Sequence, residues 1–372
     1  MKLKIYNFLY LSECNDMGGA EHSLFRLMQG ISDLGHNVIL ASPRHGVLKR
    51  KCKDNSIETI DIEFPQLKGQ GIKAIFNIVS FLFKIKKIIK NNNVDIVHSN
   101  TARTRFYLFF ISIIFNVKTV AHVRDLQKNR FEFILLFVIN KTIAISDVVK
   151  NMILSNSSGM CENKLIKIYN GVEDLSDFNS LLNLRTKHNI SENVVLIGII
   201  GRIEDWKRQD IFIEAANLLV EYKNELAFFI VGDAFREEDN EFKEKLIKLK
   251  SKSPMNIIMT GHVDNPFDYL KNFDLLICPS DNEPFGRVII EAMSMKKNII
   301  SSDNGGGSEI IKSHRQFSLF KVNDSNALAK SINEMLSCDS IEKIVNDNYL
   351  NYKNNFSLQS NIKQTEKVYG DI

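Results

Sequence analysis

The stretch Pro279-Ser-Asp-Asn-Glu283-Pro-Phe-Gly-Arg-Val-Ile-Ile-Glu291-Ala-Met-Ser294 decides the fold, because it marks the passage from a buried strand to a helix. The run before it, Phe273-Asp-Leu-Leu-Ile-Cys278, is mostly apolar, as in a strand buried on both faces of a parallel sheet. Ligands of such sheets bind beyond the carboxyl ends of the strands. We predict Glu283 at the helix entry and Glu291 two turns further, so that both carboxylates can meet one extended polar ligand.

Short apolar runs alternate with helical patterns on both sides of this stretch, which predicts an α/β fold built from βαβ units. A chain of 372 residues is too long for one hydrophobic core, so we expect two doubly wound, Rossmann-like domains that face each other across a cleft. Strands are predicted in the first half at residues 4–11, 37–41, 57–60, 94–98, 117–121, 141–144 and 165–168. Strands are predicted in the second half at residues 194–200, 227–231, 257–260, 275–278, 298–301 and 317–320.

Turn-forming residues collect at 170–180, where periodicity lapses, and we place the hinge there. The predicted domains are residues 1–175 and residues 190–355. Residues 356–372 are predicted as a C-terminal helix that could return to the first domain.

The composition, with 44% hydrophobic and 25% charged residues, is typical of a globular protein. Five scattered cysteines without a C-x-x-C pair favour a reducing compartment, and we expect a cytoplasmic location. The apolar start is followed by Glu13, Asn15 and Asp16, which favours a first strand over a signal peptide. The apolar runs 106–115 and 131–139 are shorter than the roughly 18 residues that span a bilayer, so we expect no membrane crossing.

The net charge of +4 is unevenly distributed. Residues 1–178 contain 24 Lys and Arg against 16 Asp and Glu, or +8, whereas residues 179–372 contain 24 against 28, or −4. Within the basic half, the segment Ile72 to Lys90 reads as a basic amphipathic helix. It could pack on the sheet with solvated lysines or lie on an anionic membrane surface, and the charge of the whole half favours the membrane. No recognition motif supports nucleic acid as a partner.

A glycine followed by two cations marks a second candidate site, Gly201-Arg202-Ile-Glu-Asp-Trp-Lys207, which lies between a strand and a predicted helix at residues 209–221. Gly201 lets the backbone approach a ligand, and Arg202 and Lys207 could clamp a diphosphate. A connecting loop with solvated cations explains the local sequence equally well.

Two further glycine clusters stand where a strand passes into a helix, at Gly18-Gly19 and at Gly305-Gly306-Gly307. Backbone N–H groups at a helix start can face an anion. Tight turns are the alternative for both clusters, and the G-x-G-x-x-G of dinucleotide oxidoreductases is absent from the sequence.

His122 follows the predicted strand 117–121 and is expected to face the cleft, although a lone histidine is more often structural than catalytic. No D-x-D occurs, and no His/Cys set has the spacing of metal ligands. We therefore expect neither a metal nor another cofactor.

Taken together, these motifs resemble the retaining GT-B glycosyltransferases of family 4, which have two Rossmann-like domains and a Glu-x7-Glu signature. The strongest matches are Gly201-Arg-Ile-Glu-Asp-Trp-Lys-Arg-Gln-Asp210 and Glu283-Pro-Phe-Gly-Arg-Val-Ile-Ile-Glu-Ala-Met293. The chain departs from the family at Met295-Lys-Lys-Asn298, where relatives usually have Gly and Pro, and at Arg208, where Gly is common.

The resemblance implies a role for each matching residue. Arg202 and Lys207 would hold the donor diphosphate, and Glu291 would bind the nucleotide ribose. Glu283 would lie beside the transferred sugar. The remaining implied contacts are the backbone N–H groups of Phe285 and Gly286 near the sugar or phosphate, Gly201 at the diphosphate, His122 at the sugar 6-hydroxyl, and Gly18 with Gly19 near the phosphates.

The implied activity is transfer of a hexose-type sugar, with retention, from a nucleotide diphosphate sugar to a glycan acceptor in surface polysaccharide assembly, such as capsule or O-antigen. We expect a UDP-sugar rather than a GDP-sugar, a lipid-linked acceptor, and a cytoplasmic enzyme at the inner face of the membrane. Residues that bind the acceptor are not identified. The alternatives are a nucleotide-sugar epimerase of the same fold and a catalytically silent protein that binds a nucleotide or a glycan.

Overall fold

The computed structural model describes residues 4–14, 16–66, 69, 71–127, 131–311 and 318–372. These residues form two compact units. The first consists of residues 1–171 together with residues 358–372, and the second of residues 172–357.

The first unit contains a parallel sheet of seven strands within the described residues, in the order β3-β2-β1-β4-β5-β6-β7. The strands are β1 (Asn7–Leu11), β2 (Asn37–Ser42), β3 (Glu58–Asp61), β4 (Ile96–Ser99), β5 (Lys118–Val123), β6 (Lys141–Ala144) and β7 (Leu165–Lys167). The helices are α1 (Gly19–Asp33), α2 (Val47–Asp54), α3 (Ile72–Asn91), α4 (Ala102–Ile114), α5 (Glu132–Val138), α6 (Asp147–Asn156) and the C-terminal helix, residues Leu358–Gly370.

Alternating side chains of β1 divide the core of this unit into two layers. Phe8 and Tyr10 pack with α1, α2 and the C-terminal helix, whereas Leu9 and Leu11 pack with α3, α4 and α5. Successive residues of a strand point to opposite faces of the sheet, so the two groups of helices cover opposite faces. The apolar character of β1 on both sides follows from this double cover.

The second unit repeats the plan with a parallel sheet of six strands among its described residues, in the order β10-β9-β8-β11-β12-β13. The strands are β8 (Val195–Ile200), β9 (Leu226–Val231), β10 (Asn256–Gly261), β11 (Leu275–Cys278), β12 (Asn298–Ser302) and β13 (Leu319–Phe320). The helices are α7 (Leu184–His188), α8 (Gln209–Leu218), α9 (Asn240–Ser251), α10 (Pro266–Asn272), α11 (Arg287–Ser294), α12 (Gly305–Ile310), α13 (Ser325–Leu336) and α14 (Ile341–Asn355). The C-terminal helix of the first unit is α15.

Each predicted strand is present, with ends that differ by at most three residues among those the structure describes; Phe317 lies outside them. The predicted helix 209–221 is shorter than expected. Helix α8 ends at Leu218, and a separate 3-10 turn follows at Val220–Tyr222. The predicted membrane-facing segment is a helix, α3, with the expected limits. Over the ranges given above, no helix is both long enough and apolar enough to cross a bilayer.

Candidate donor-binding site

Glu283 lies before the helix that contains Glu291, whereas the sequence predicts Glu283 at the helix entry and Glu291 two turns further. Helix α11 begins only at Arg287, so Glu283 lies in the loop after β11, and Glu291 lies one turn inside the helix. Gly286, the N-cap, has φ of +101°, a left-handed conformation that glycine adopts without steric cost and that does not continue a helix. The prediction that Glu283 stands at the helix entry is therefore wrong by one turn.

Glu283 forms an ion pair with Lys207, and Nζ of Lys207 lies 2.5 Å from Oε2 of Glu283. Both side chains are mostly buried, with 18% and 17% of their surface exposed. The Lys207 ammonium also lies 4.1 Å from the centre of the Trp206 ring, a cation–π distance. These contacts fix the position of the lysine at the carboxyl ends of β8 and β11, where the sequence predicts ligand binding.

Glu291 is buried and is held by a neighbour on the same helix. Nη2 and Nε of Arg287 lie 2.6 Å and 3.0 Å from Oε1 of Glu291, one helical turn away. Arg287 was not predicted as a site residue. The signal was present in the i, i+4 spacing of Arg287 and Glu291.

Arg202 is the most exposed cation of the predicted site, with 49% of its side-chain surface accessible. Its Nη2 lies 3.2 Å from Oε1 of the buried Glu204. Its carbonyl accepts a hydrogen bond of 2.9 Å from Nε2 of Gln209 at the start of α8. A guanidinium that is anchored at one edge and open at the other can still accept an anion.

A pocket in the second unit is lined by residues that follow β8 and β11. Its lining includes Lys207, Gln209, Cys278, Ser280, Glu283, Gly286 and Ser301. Burial, reinforced by the charge of Glu283, raises the pKa of the Cys278 thiol, so this side chain is neutral. The pocket therefore offers one ammonium, one carboxylate and several neutral groups.

The glycine cluster of the second half lies directly against the Glu283 loop. The N–H of Gly306 donates a hydrogen bond of 2.7 Å to the Glu283 carbonyl. A Cβ atom on Gly306 would lie 2.5 Å from Cα of Phe285, closer than any real contact. These glycines therefore serve at least one structural purpose, the close packing of α12 on the loop that contains Glu283, Phe285 and Gly286.

Gly201 ends β8 at the edge of the same region. Its N–H donates a hydrogen bond of 2.9 Å to the Val231 carbonyl, and a Cβ atom added to Gly201 would lie 3.8 Å from Cε of Lys207. A Cβ atom on Gly232 would collide with the Gly201 carbonyl at 2.0 Å, so the backbones of the two strands approach closely here.

In the first unit, Gly18 and Gly19 lie at the start of α1. The anion at this helix start is a side chain of the protein itself, the Glu21 carboxylate. Gly18 is the N-cap of α1, and its N–H donates a hydrogen bond of 3.1 Å to Oε2 of Glu21. Helix α1 itself begins at Gly19. A carboxylate in the first turn is favourable beside the helix dipole, so one backbone donor of this terminus is already occupied.

His122 lies inside β5 rather than after it, because the strand extends to Val123, and its side chain is buried. Nη2 of Arg124 lies 3.2 Å from Nδ1 of His122. Burial, with the nearby Arg124 and His98, holds the pKa of His122 well below its usual range, so the ring is neutral. Its Nε2 has no hydrogen-bond partner among the residues that the structure describes.

Two asparagines and a second histidine complete this polar cluster, and none of the three was predicted as a site residue. Arg124 donates a hydrogen bond of 2.7 Å to Oδ1 of Asn100 and one of 2.5 Å to Oδ1 of Asn170. The ring centre of His98 lies 5.5 Å from that of His122. Because these residues come from separate strand ends, only the folded sheet reveals that they are neighbours.

The two parallel sheets, and the pocket beyond the strand ends of the second one, are those of the GT-B fold. Residues 182–352 match the family model "Glycosyl transferases group 1", and residues 17–174 match the model "Glycosyltransferase Family 4". Both halves of the chain thus match glycosyltransferase families, and the chain is a glycosyltransferase of this fold.

Individual relatives agree with this assignment. The chain is 22% identical over 315 residues to the capsular polysaccharide biosynthesis glycosyltransferase CapM of Staphylococcus aureus, covering 80% of this chain and 82% of CapM. A glycosyltransferase structure from Rickettsia africae superimposes with a TM-score of 0.83 at 25% identity, over 99% of this chain and 98% of that one. The Anabaena protein HepE in complex with UDP superimposes with a TM-score of 0.82 at 20% identity, over 98% of this chain and all of that one.

Proposed function

We propose that the protein is a retaining, family 4 glycosyltransferase that moves a hexose-type sugar from a nucleotide diphosphate sugar onto a glycan acceptor, lipid-linked, in surface polysaccharide biosynthesis. The observation that carries the proposal is the Lys207–Glu283 pair at 2.5 Å. It places one ammonium and one carboxylate in a pocket beyond the ends of two central parallel strands, where folds of this class bind their ligands.

The proposed donor contacts follow the chemistry of each group. Arg202 and Lys207 bind the diphosphate, the arginine as a fork and the lysine as a point charge. The carboxylate of Glu291, fixed by Arg287, accepts hydrogen bonds from the ribose hydroxyls. Glu283 lies beside the sugar, with the backbone N–H groups of Phe285 and Gly286 toward the sugar or phosphate.

The first unit contributes His122 and the Gly18–Gly19 helix start in this proposal. A neutral imidazole can either donate to or accept from a sugar hydroxyl, and the unpartnered Nε2 of His122 is the atom we assign to that contact. The glycines are proposed to lie near the donor phosphates.

Retention can be achieved without a protein base. The bond between the anomeric carbon and the diphosphate oxygen breaks, and the acceptor oxygen forms its bond on the same face of the sugar. The departing diphosphate takes the proton of the acceptor hydroxyl. Arg202 and Lys207 stabilise the charge that develops on the diphosphate, which is the main catalytic contribution of the protein.

The donor base and the acceptor are proposed from similarity. HepE is described in complexes with UDP and with UDP-glucose, which favours a UDP-sugar over a GDP-sugar for this chain. CapM is a capsular polysaccharide enzyme by name, which favours a glycan acceptor of the cell surface.

The decisive experiment measures release of UDP from UDP-sugars with and without a lipid-linked glycan acceptor. Release that depends on the acceptor, with an unchanged anomeric configuration in the NMR spectrum of the product, supports the proposal. Conversion of the donor sugar without an acceptor would instead indicate an epimerase. Binding without turnover would indicate a silent protein.

A second experiment tests the donor site directly. A nucleotide at 100 times its dissociation constant stabilises the folded state by about 2.7 kcal/mol, enough to raise the melting temperature. We expect such a rise with UDP and not with GDP, and its loss in Glu291→Ala. The control is Glu244→Ala, which removes an exposed carboxylate of α9.

We further propose that transfer needs no metal ion, because the two cations Arg202 and Lys207 can neutralise the diphosphate. Among the described residues, no three His, Cys, Asp or Glu side chains are grouped to hold an ion. Activity should therefore persist in excess EDTA. Loss of activity in EDTA with recovery on adding magnesium or manganese would contradict this.

A further inference from the structure

The helices on one face of the first sheet form a continuous outer layer. Helices α3, α4 and α5 share one core cluster beneath them. The Phe81 ring of α3 lies 4.5 Å from the Tyr107 ring of α4, and α4 packs against α5. These three helices are therefore neighbours, and their outward sides together make one surface.

Helix α3 is apolar on its outward side as well as on its inward side. Phe81, Leu82 and Ile85 are buried against the core. The opposite side has large apolar residues at three- and four-residue spacing, the spacing that places side chains on one helix face. These are Ile72, Ile75, Phe76, Val79 and Phe83, and each is exposed; Phe76 and Phe83 are 70% and 68% exposed.

The neighbouring helices continue this apolar surface. On α4, Phe106 and Ile113 are exposed seven residues apart, opposite the buried Tyr107 and Leu108. On α5, Phe133 and Phe137 are exposed four residues apart. The outer face of α3–α5 is defined here by Ile72, Ile75, Phe76, Val79, Phe83, Phe106, Ile113, Phe133 and Phe137. Apolar surface gathered in this way marks an interaction site.

The charge on α3 indicates the kind of partner. The helix has five lysines and no Asp or Glu in its 20 residues. Lys86, Lys87 and Lys90 follow Phe83 at intervals of three, four and seven residues, so they extend the same outward side. Protein interfaces are depleted of lysine at their centres, whereas aromatic residues beside lysines fit the boundary of an anionic bilayer.

We propose that the outer face of α3–α5 docks on an anionic lipid bilayer. The aromatic and aliphatic side chains enter the boundary between headgroups and acyl chains, and Lys86, Lys87 and Lys90 contact the anionic headgroups. Helix α3 lies parallel to the membrane plane without crossing it. This inference does not depend on the proposed function, because lipid binding is measured without donor or acceptor.

The test is cosedimentation of the full chain with vesicles of phosphatidylcholine alone or mixed with phosphatidylglycerol. Wild-type protein should bind the mixed vesicles and be released by salt. Each lysine near an anionic surface contributes about fivefold to binding, so Lys86→Gln/Lys87→Gln/Lys90→Gln should bind on the order of 100-fold more weakly. Phe76→Ser/Phe83→Ser should bind at least about tenfold more weakly, since two exposed rings no longer enter the bilayer.

Matched controls on the second unit separate docking from general charge and hydrophobicity. Lys248→Gln/Lys250→Gln/Lys252→Gln removes three exposed lysines at the end of α9, and Phe235→Ser removes a ring that is 62% exposed. Both should bind like wild type, and all variants should keep the wild-type melting temperature.

Three results would overturn the proposal. The first is absence of binding to the mixed vesicles. The second is an equal loss of binding in the control variants. The third is a wild-type dimer that Phe76→Ser/Phe83→Ser converts to a monomer without changing lipid binding, because the surface would then serve a second copy of the chain.

Discussion

At the scale of the residue, the Lys207–Glu283 ion pair preorganises the lysine side chain for binding a diphosphate. The ammonium is held at 2.5 Å from a carboxylate and over the Trp206 ring, so its side chain is ordered before the donor arrives. An ordered cation loses little entropy on binding, and this favours the charged leaving group in the transition state.

Replacing this lysine gives the first prediction. Lys207→Ala should lower kcat/KM by roughly 10-fold to 150-fold, because a hydrogen bond to a charged group contributes about 1.5 to 3 kcal/mol. Steady-state kinetics with a UDP-sugar will measure this. Lys250→Ala, an exposed lysine of α9, is the matched control and should be unchanged. An unaltered kcat/KM in Lys207→Ala would remove this residue from the site.

Two of the buried histidines, His98 and His122, give a second prediction, on the pH dependence of stability. Burial, with the charge of Arg124, lowers the pKa of His98 to about 3, and the pKa of His122 is also lowered. A histidine in the unfolded chain has a pKa of about 6.5, so it becomes protonated below that pH while the two buried rings of the folded protein stay neutral. The free energy of unfolding is therefore unaffected by these histidines above about pH 6.5. Below that pH it falls, by up to about 1.4 kcal/mol per pH unit for each histidine.

Urea unfolding between pH 7 and pH 5 will measure this loss. Over this range, the fall in unfolding free energy should be smaller in His122→Gln than in wild type by about 2 kcal/mol in total, or about 1 kcal/mol per pH unit. His45→Gln removes an exposed histidine and should keep the wild-type slope. Equal slopes in all three proteins would mean that His122 is protonated in the folded state.

At the scale of the element, the strands could be predicted from the sequence and the start of α11 could not. Continuous apolar runs such as residues 275–278 have one stable environment, the centre of a parallel sheet. The helix starts after Gly286, which has a φ of +101°, and α12 packs closely against the loop before it. That packing is a tertiary contact, and spacing along the chain does not encode it.

The close packing of α12 gives a third prediction. In Gly306→Ala, the added Cβ would lie 2.5 Å from Cα of Phe285, so the loop with Glu283 and Gly286 must shift. We expect a loss of about 1 to 3 kcal/mol in unfolding free energy and a weaker response to UDP. Calorimetry of the UDP-bound protein will measure both. Gly370→Ala, where a Cβ would meet nothing within 4 Å, should leave both unchanged. A Gly306→Ala variant with wild-type stability and a wild-type response to UDP would show that the packing is not required.

Contacts between charged residues that are distant in the sequence could not be predicted either. Lys207 and Glu283 are 76 positions apart and meet only because β8 and β11 are adjacent in the sheet. The residues themselves could be chosen from their motifs, but their partnership could not. The Arg124 cluster was missed for the same reason, since Asn100 and Asn170 come from other strand ends.

At the scale of the whole molecule, each of the two units has apolar core clusters made of its own residues. One apolar core cluster of the second unit consists of residues between 197 and 344. The cores of the first unit consist of residues before 169, together with Val368 and Tyr369 from α15. Each unit thus buries its own apolar surface, which is the condition for independent cooperative unfolding.

This division gives the fourth prediction. Scanning calorimetry of the full chain should show two transitions, and UDP should raise mainly the one that belongs to the second unit, because Arg202, Lys207, Glu283 and Glu291 all lie there. At 100 times the dissociation constant, the gain is about 2.7 kcal/mol. Tyr369→Phe serves to assign the other transition. It removes the hydroxyl that lies 2.7 Å from Nδ1 of the buried His98. The unpaired His98 nitrogen should destabilise only the first unit, by about 1 to 3 kcal/mol. If UDP and Tyr369→Phe moved the same single transition, the two units would unfold as one cooperative body, and nucleotide binding would have to be coupled to the first sheet as strongly as to the second.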